Sequence, residues 1–209
     1  VPSKPFGGSD DYAWSPDSKQ LAFSARIAGK SESWSTNFDL YLVPADASAA
    51  PRNVTEANPA ADTSPVFSRD GRTLYHLAMK RPGFEADRFA LTALDLRSGS
   101  TREIAPDWDS SAGGIALSAD GKRIYTAADE LGRHPLFAVR IDNGEVESIA
   151  GDGRIEGFDV QGDTLVFARS TLDSPAQLFA ARADGSNAKR ITDFNAAKLA
   201  DLRFGAFEQ

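Results

Sequence analysis

The sequence predicts an all-β fold, a partial β-propeller of about four four-stranded antiparallel blades, and three observations carry that expectation. An apolar run, a turn of the Asp-Gly type and a second apolar run recur four times along the chain. Each recurrence is followed by another alternating segment, a turn and a short polar strand. Aligning Leu21, Leu74, Ile124 and Leu165 gives steps of 53, 50 and 41 residues, close to the roughly 40–50 residues of a propeller blade. Radial repetition of four-stranded sheets is the architecture that accommodates such a unit most economically.

The hairpins are legible from their turns. Trp14-Ser15-Pro16-Asp17-Ser18 precedes Leu21-Ala22-Phe23, and Val66-Phe67-Ser68-Arg69-Asp70-Gly71 precedes Thr73-Leu74-Tyr75. Ala116-Leu117-Ser118-Ala119-Asp120-Gly121 precedes Arg123-Ile124-Tyr125, and a shortened fourth copy runs from Phe158 through Gly162-Asp163 to Phe167. Gly accepts the positive φ of a tight turn, and Asp bonds its own backbone. The second halves are Phe38 to Val43 with Pro51 to Thr55, and Phe89 to Asp95 with Thr101 to Ile104. Leu136 to Val139 with Val146 to Ile149, and Gln177 to Ala181 with Lys189 to Thr192, complete the set. The expected blades are therefore about 11–55, 63–104, 114–150 and 154–192. Residues 1–10, rich in Pro and Gly, read as a linker from a preceding segment. Residues 193–209 read as the start of a further strand or a link to another domain, so both ends look cut.

Strands of an up-and-down sheet alternate in direction. Connections one-to-two and three-to-four thus share one rim, and connections two-to-three share the other with the blade-to-blade links. The long, variable inserts are of the second kind: 28–37, 80–88, 129–134 and 170–175. Loops displayed together on a rigid scaffold are where binding residues gather, so function is expected on the insert rim.

Composition narrows the function classes. The 209 residues are 41% hydrophobic and 10% aromatic, enough for a sizeable core. A net charge of −7 argues against a nucleic-acid partner, and no apolar run approaches the ~18 residues of a membrane span. The absence of cysteine removes disulfides and thiol catalysis but leaves the compartment open. The start at Val1-Pro2, without Met or a signal peptide, looks like a mature or excised product.

Catalytic machinery is not evident. Gly-x-Ser-x-Gly is absent. His76 falls in a strand and reads as a satisfied, half-buried histidine, while His134 lies in a loop before Pro135 with no partner that can be named. Asp107-Trp108-Asp109 lacks the ligand count that Ca²⁺ wants and reads as a loop with a buried indole. Asn53-Val54-Thr55 matches a glycosylation triplet but sits in a closing strand. No metal or cofactor is expected. The insert of blade two, with Arg81, Glu85, Asp87 and Arg88 around Pro82-Gly83-Phe84, admits two interpretations. It is either a solvated charged loop with an internal Arg–carboxylate pair, or a pair of carboxylates that receives a cation such as a peptide's α-amino group. Trp34 on the matching insert of blade one would add an apolar or cation–π wall.

Three stretches carry a resemblance: Trp14-Ser15-Pro16-Asp17 with Leu21-Ala22-Phe23, Trp34-Ser35-Thr36-Asn37-Phe38-Asp39-Leu40-Tyr41, and Arg81-Pro82-Gly83-Phe84-Glu85-Ala86-Asp87-Arg88. Together they resemble the propeller of bacterial serine peptidases of the prolyl oligopeptidase family, on the dipeptidyl-peptidase and acylaminoacyl-peptidase branch. The likeness covers essentially the whole chain, including the tail Ile191-Thr192-Asp193-Phe194-Asn195. The Ser-Pro-Asp repeat by itself is shared with Tol-system propellers, which leaves a stand-alone interaction module as the alternative. The family's propeller has seven or eight blades and caps an α/β-hydrolase domain, so the resemblance implies the C-terminal half of a propeller. It implies as partners a peptide substrate, the remaining blades and the hydrolase domain, and a periplasmic or secreted location, with the cytoplasm left open. It makes Glu85 and Asp87 the amino-group acceptors, Arg88 their orienting partner or a ligand for a substrate carbonyl, and Trp34 a wall of the cavity. Open blade edges also leave room for a homo-oligomer.

Overall fold

The computed structural model describes residues 11–31 and 33–206. They form four four-stranded antiparallel sheets, each with its strands in chain order. Blade 1 is β1 (Tyr12–Trp14), β2 (Gln20–Ala25), β3 (Asp39–Pro44) and β4 (Arg52–Asn53), and blade 2 is β5 (Asp62–Phe67), β6 (Thr73–Ala78), β7 (Ala90–Asp95) and β8 (Thr101–Glu103). Blade 3 is β9 (Ala116–Leu117), β10 (Arg123–Ala127), β11 (Leu136–Arg140) and β12 (Val146–Ala150). Blade 4 is β13 (Arg154–Gln161), β14 (Thr164–Thr171), β15 (Ser174–Arg182) and β16 (Lys189–Arg190). The first strands of all four blades converge: Tyr12, Pro65, Ala116 and Phe158 line one shared cleft.

The core lies between blades: blades 2 and 3 bury both faces, and blades 1 and 4 bury the face turned towards a neighbour. Equivalent side chains of the second strands show the rule. Leu74, Ile124 and Leu165 each face the preceding blade, whereas Tyr75 and Tyr125, one residue on, face the following one. Alternation with period two is what lets one strand serve two interfaces. By the same rule Leu21, with Trp14 and Val43 across the sheet, points away from blade 2, and Val166 with Ala180 points away from blade 3.

Three hairpin turns share one bonding scheme. In blade 2 the Ser68 hydroxyl donates to Asp70 at 2.6 Å, Asp70 accepts from the Arg72 amide at 3.1 Å, and Ser68 Oγ accepts from the Thr73 amide at 2.9 Å. Ser15 with Asp17 and Ser118 with Asp120 repeat it. Those hydroxyl and amide donors hold all three carboxyls below the usual range.

Four expectations change. The fourth blade is not a shortened copy, since β13, β14 and β15 run for 8, 8 and 9 residues. Its insert shrinks instead, because Thr171 pairs with Ser174 and leaves Leu172-Asp173 as a two-residue turn. The tail does not open as a strand: Ala196–Leu199 forms one turn of helix, α1, entered through Asn195 at φ 62°. Ala-Ala-Lys-Leu favours helix and contains no β-branched residue. His76 is fully buried at 1% exposure, with Nε2 3.1 Å from Asp62 Oδ1. Residues 1–10 of the expected linker, and 207–209 of the tail, lie outside the described residues.

Candidate functional site

The insert of blade 2 is built around Asp87. Its Oδ2 accepts the amides of Lys80 and Arg81, each at 2.8 Å, and its Oδ1 accepts Arg81 Nε at 2.8 Å. Burial pulls this carboxyl upward, but the two amides and the guanidinium outweigh it and hold the pKa at about 2. Arg81 lies over the Phe84 ring at 4.1 Å, and the Gly83 amide donates to Thr36 Oγ1 at 2.8 Å. The inserts of blades 1 and 2 are thereby joined.

Arg88 turns away from the loop. It pairs with Glu103 and donates to the Trp108 carbonyl at 2.8 Å, anchoring the insert to the link between blades 2 and 3. Lys80 reaches the same Glu103 at 2.6 Å. Burial raises the Glu103 carboxyl, and the two cations more than reverse this. The indole of Trp108 meets Phe137 edge-on at 5.2 Å.

Glu85 is left facing outward. It makes no hydrogen bond or ion pair among the described residues, and it lines a cup of about 230 Å³ between the two inserts. Phe38, Ala61, Met79 and Phe89 give that cup an apolar floor, packed as a small cluster of its own. Arg26 closes one side, with Nη1 on the Ser35 carbonyl at 3.1 Å and its guanidinium 5.1 Å from the Phe38 ring. Trp34 stands 73% exposed on the blade 1 insert and is not part of the lining.

The four residues expected to act together are thus separated. Glu85 addresses the cup, Asp87 holds the loop, Arg88 holds Glu103, and Trp34 projects from the rim. Arg26, Phe38, Met79 and Phe89 were missed. Phe38 and Phe89 carried a signal, since both stand immediately before the third strand of their blades. The other titratable candidates fall elsewhere: His134 Nδ1 is 2.7 Å from Asp129, the partner that sequence could not name. Asn53-Val54-Thr55 serves the strand, with Thr55 Oγ1 accepting the Leu40 amide at 2.9 Å. No group of three or more His, Asp or Glu among the described residues has the geometry to hold a metal ion. A carboxylate above an apolar floor can accept an ammonium group whose neighbouring substituent is apolar.

Comparison with known proteins agrees with this architecture. No family model matches the sequence. The chain is 30% identical over 201 residues to dipeptidyl-peptidase 5 of Porphyromonas gingivalis, covering 95% of this chain and 29% of that protein. Among solved structures, the Pyrococcus horikoshii acylaminoacyl peptidase superposes with a TM-score of 0.70 at 19% identity, covering 92% of this chain and 28% of that one. A TolB-like protein from Agrobacterium tumefaciens gives 0.65 at 23% identity, with 87% and 64% covered. The chain is similar to dipeptidyl-peptidases along most of its length, and it spans less than a third of the curated relative.

Proposed function

We propose that this chain is the C-terminal half of the propeller of a serine exopeptidase of the prolyl oligopeptidase family. In that role it gates access and binds the substrate's amino terminus for an α/β-hydrolase domain and further blades of the same protein. The observation that carries the proposal is the Glu85 carboxylate, without a protein partner among the described residues, above the apolar cup between two coupled inserts. The α-amino group of a peptide would bind Glu85, its first side chain would enter the cup, and Trp34 would flank the entrance. Asp87 and Arg88 contribute by holding the insert that presents Glu85. A periplasmic or secreted location goes with the same proposal.

Intact mass, set beside hydrolysis of a dipeptidyl chromogenic substrate, tests this reading. A mass well above 22.4 kDa together with activity supports it. A folded protein of 22.4 kDa without activity favours an interaction module of the TolB kind, for which the 64% coverage of the Agrobacterium protein is the argument.

A further inference from the structure

Glu85 sits near the tip of the blade 2 insert, and two turns in succession carry it there. Arg81-Pro82-Gly83-Phe84 is closed by the Phe84 amide on the Arg81 carbonyl at 3.3 Å, with Gly83 at φ 73°. Pro in the second place and a positive φ in the third are the marks of a type II turn. The turn's own hydrogen bond uses the Phe84 amide, so the Gly83 amide must find its partner elsewhere. A second turn begins at Phe84, whose carbonyl accepts the Asp87 amide at 3.0 Å, and Glu85 lies inside it. Because the turns share Phe84, whatever fixes the first also fixes the backbone of Glu85.

The fixing contact comes from blade 1. The Gly83 amide donates to Thr36 Oγ1 at 2.8 Å, and among the described residues this is the one hydrogen bond that joins residues 82–86 to another blade. Asp87 clamps the base of the loop, but it bonds Lys80 and Arg81 of the same insert. It sets the loop's shape and leaves the position of the tip to Thr36. Thr36 has a firm footing, since the Ser35 carbonyl accepts Arg26 Nη1 at 3.1 Å and Ser35 Oγ accepts the Asn37 amide at 3.2 Å. Thr36 and Glu85 both line the cup.

We propose that Thr36 is a positioning residue for the amino-terminal site: by accepting the Gly83 amide, its hydroxyl sets the Glu85 carboxylate over the apolar cup where the α-amino group of a peptide arrives. This rests on the reading of Glu85 as the acceptor of that group. A charge-assisted hydrogen bond is strong only at short distance and good alignment, so a tip that drifts loses affinity although Glu85 itself is intact. The hydroxyl is the part that matters, because serine can accept the same amide and valine, of nearly the same shape, cannot.

A double-mutant cycle on the full-length protein tests this coupling. Thr36→Val should lower kcat/KM for a dipeptidyl substrate with a free amino terminus by about 3–10-fold, the worth of one neutral hydrogen bond. Made in the Glu85→Gln background, the same substitution should cost under about 1.5-fold, because no carboxylate is left to position. Thr36→Ser should stay within about two-fold of the wild type, since it keeps the hydroxyl. Equal losses in both backgrounds, no loss from Thr36→Val, or a serine variant as impaired as the valine one each overturn the proposal. Amide exchange needs no substitution: in the wild type the Gly83 amide should exchange at least about ten-fold slower than in the unfolded chain, and exchange at the unfolded rate overturns the bond itself. Glu85→Gln by itself separates the two claims. A loss there with none from Thr36→Val removes only the positioning role, whereas no loss from Glu85→Gln removes the reading of the amino-terminal site and this proposal with it.

Discussion

Glu85 and Asp87 stand two residues apart on one loop and face opposite ways, the first over the cup and the second into three donors, the Lys80 and Arg81 amides and Arg81 Nε. Both are acids in the same charged stretch, so residue type could not divide the roles. The division follows from how many donors the chain brings to each carboxylate. Asp87→Asn removes charge-assisted bonds and is expected to destabilise the protein by about 1–3 kcal/mol in chemical unfolding. It should also flatten the acid limb. The folded Asp87 carboxyl, at about 2, lies below its ordinary 3.8, so its contribution is present above pH 4 and is lost as pH falls towards 2. Between those limits the wild type should lose more stability than Asp87→Asn; parallel acid limbs would mean that the carboxylate does not hold the loop.

Among the elements, the hairpins were the legible part, because Ser-x-Asp turns and alternating strands are local patterns that tertiary packing did not override. The long strands of blade 4 were not legible. Residues 170–175 read as an insert, and only the cross-strand pairing of Thr171 with Ser174 extends the sheet through them. Turn glycines hold a second distinction that spacing conceals. Gly99 and Gly144 occupy equivalent third-to-fourth turns, both at φ 74°. A Cβ on Gly99 meets nothing within 4 Å, but on Gly144 it would lie 2.3 Å from the Ile104 carbonyl of the preceding blade. Gly144→Ala should therefore lose about 1–3 kcal/mol more than Gly99→Ala, from overpacking added to the shared strain. Equal losses in urea titrations would show that the blade interface yields there.

At the scale of the whole molecule, three blade interfaces are filled and two outward faces are open. Tyr12 and Trp14 on blade 1 are about half exposed, and Leu178 of blade 4 stands on the side turned away from blade 3. Sequence spacing disclosed the number of blades, since each closes its own sheet, but what covers the outermost faces is not written in a local pattern. Residues 11–206 expressed alone should therefore self-associate, and Trp14→Glu with Leu178→Glu should reduce that association in sedimentation velocity. A monomer at all concentrations would mean that these faces tolerate water. In the full-length protein, Glu85→Gln should lower kcat/KM for a dipeptidyl substrate with a free amino terminus by roughly 10–100-fold, the worth of one charge-assisted hydrogen bond. An N-acylated counterpart should be unaffected. An equal loss on both substrates, or no loss on either, would contradict the assignment of Glu85 as the acceptor of the substrate's amino group.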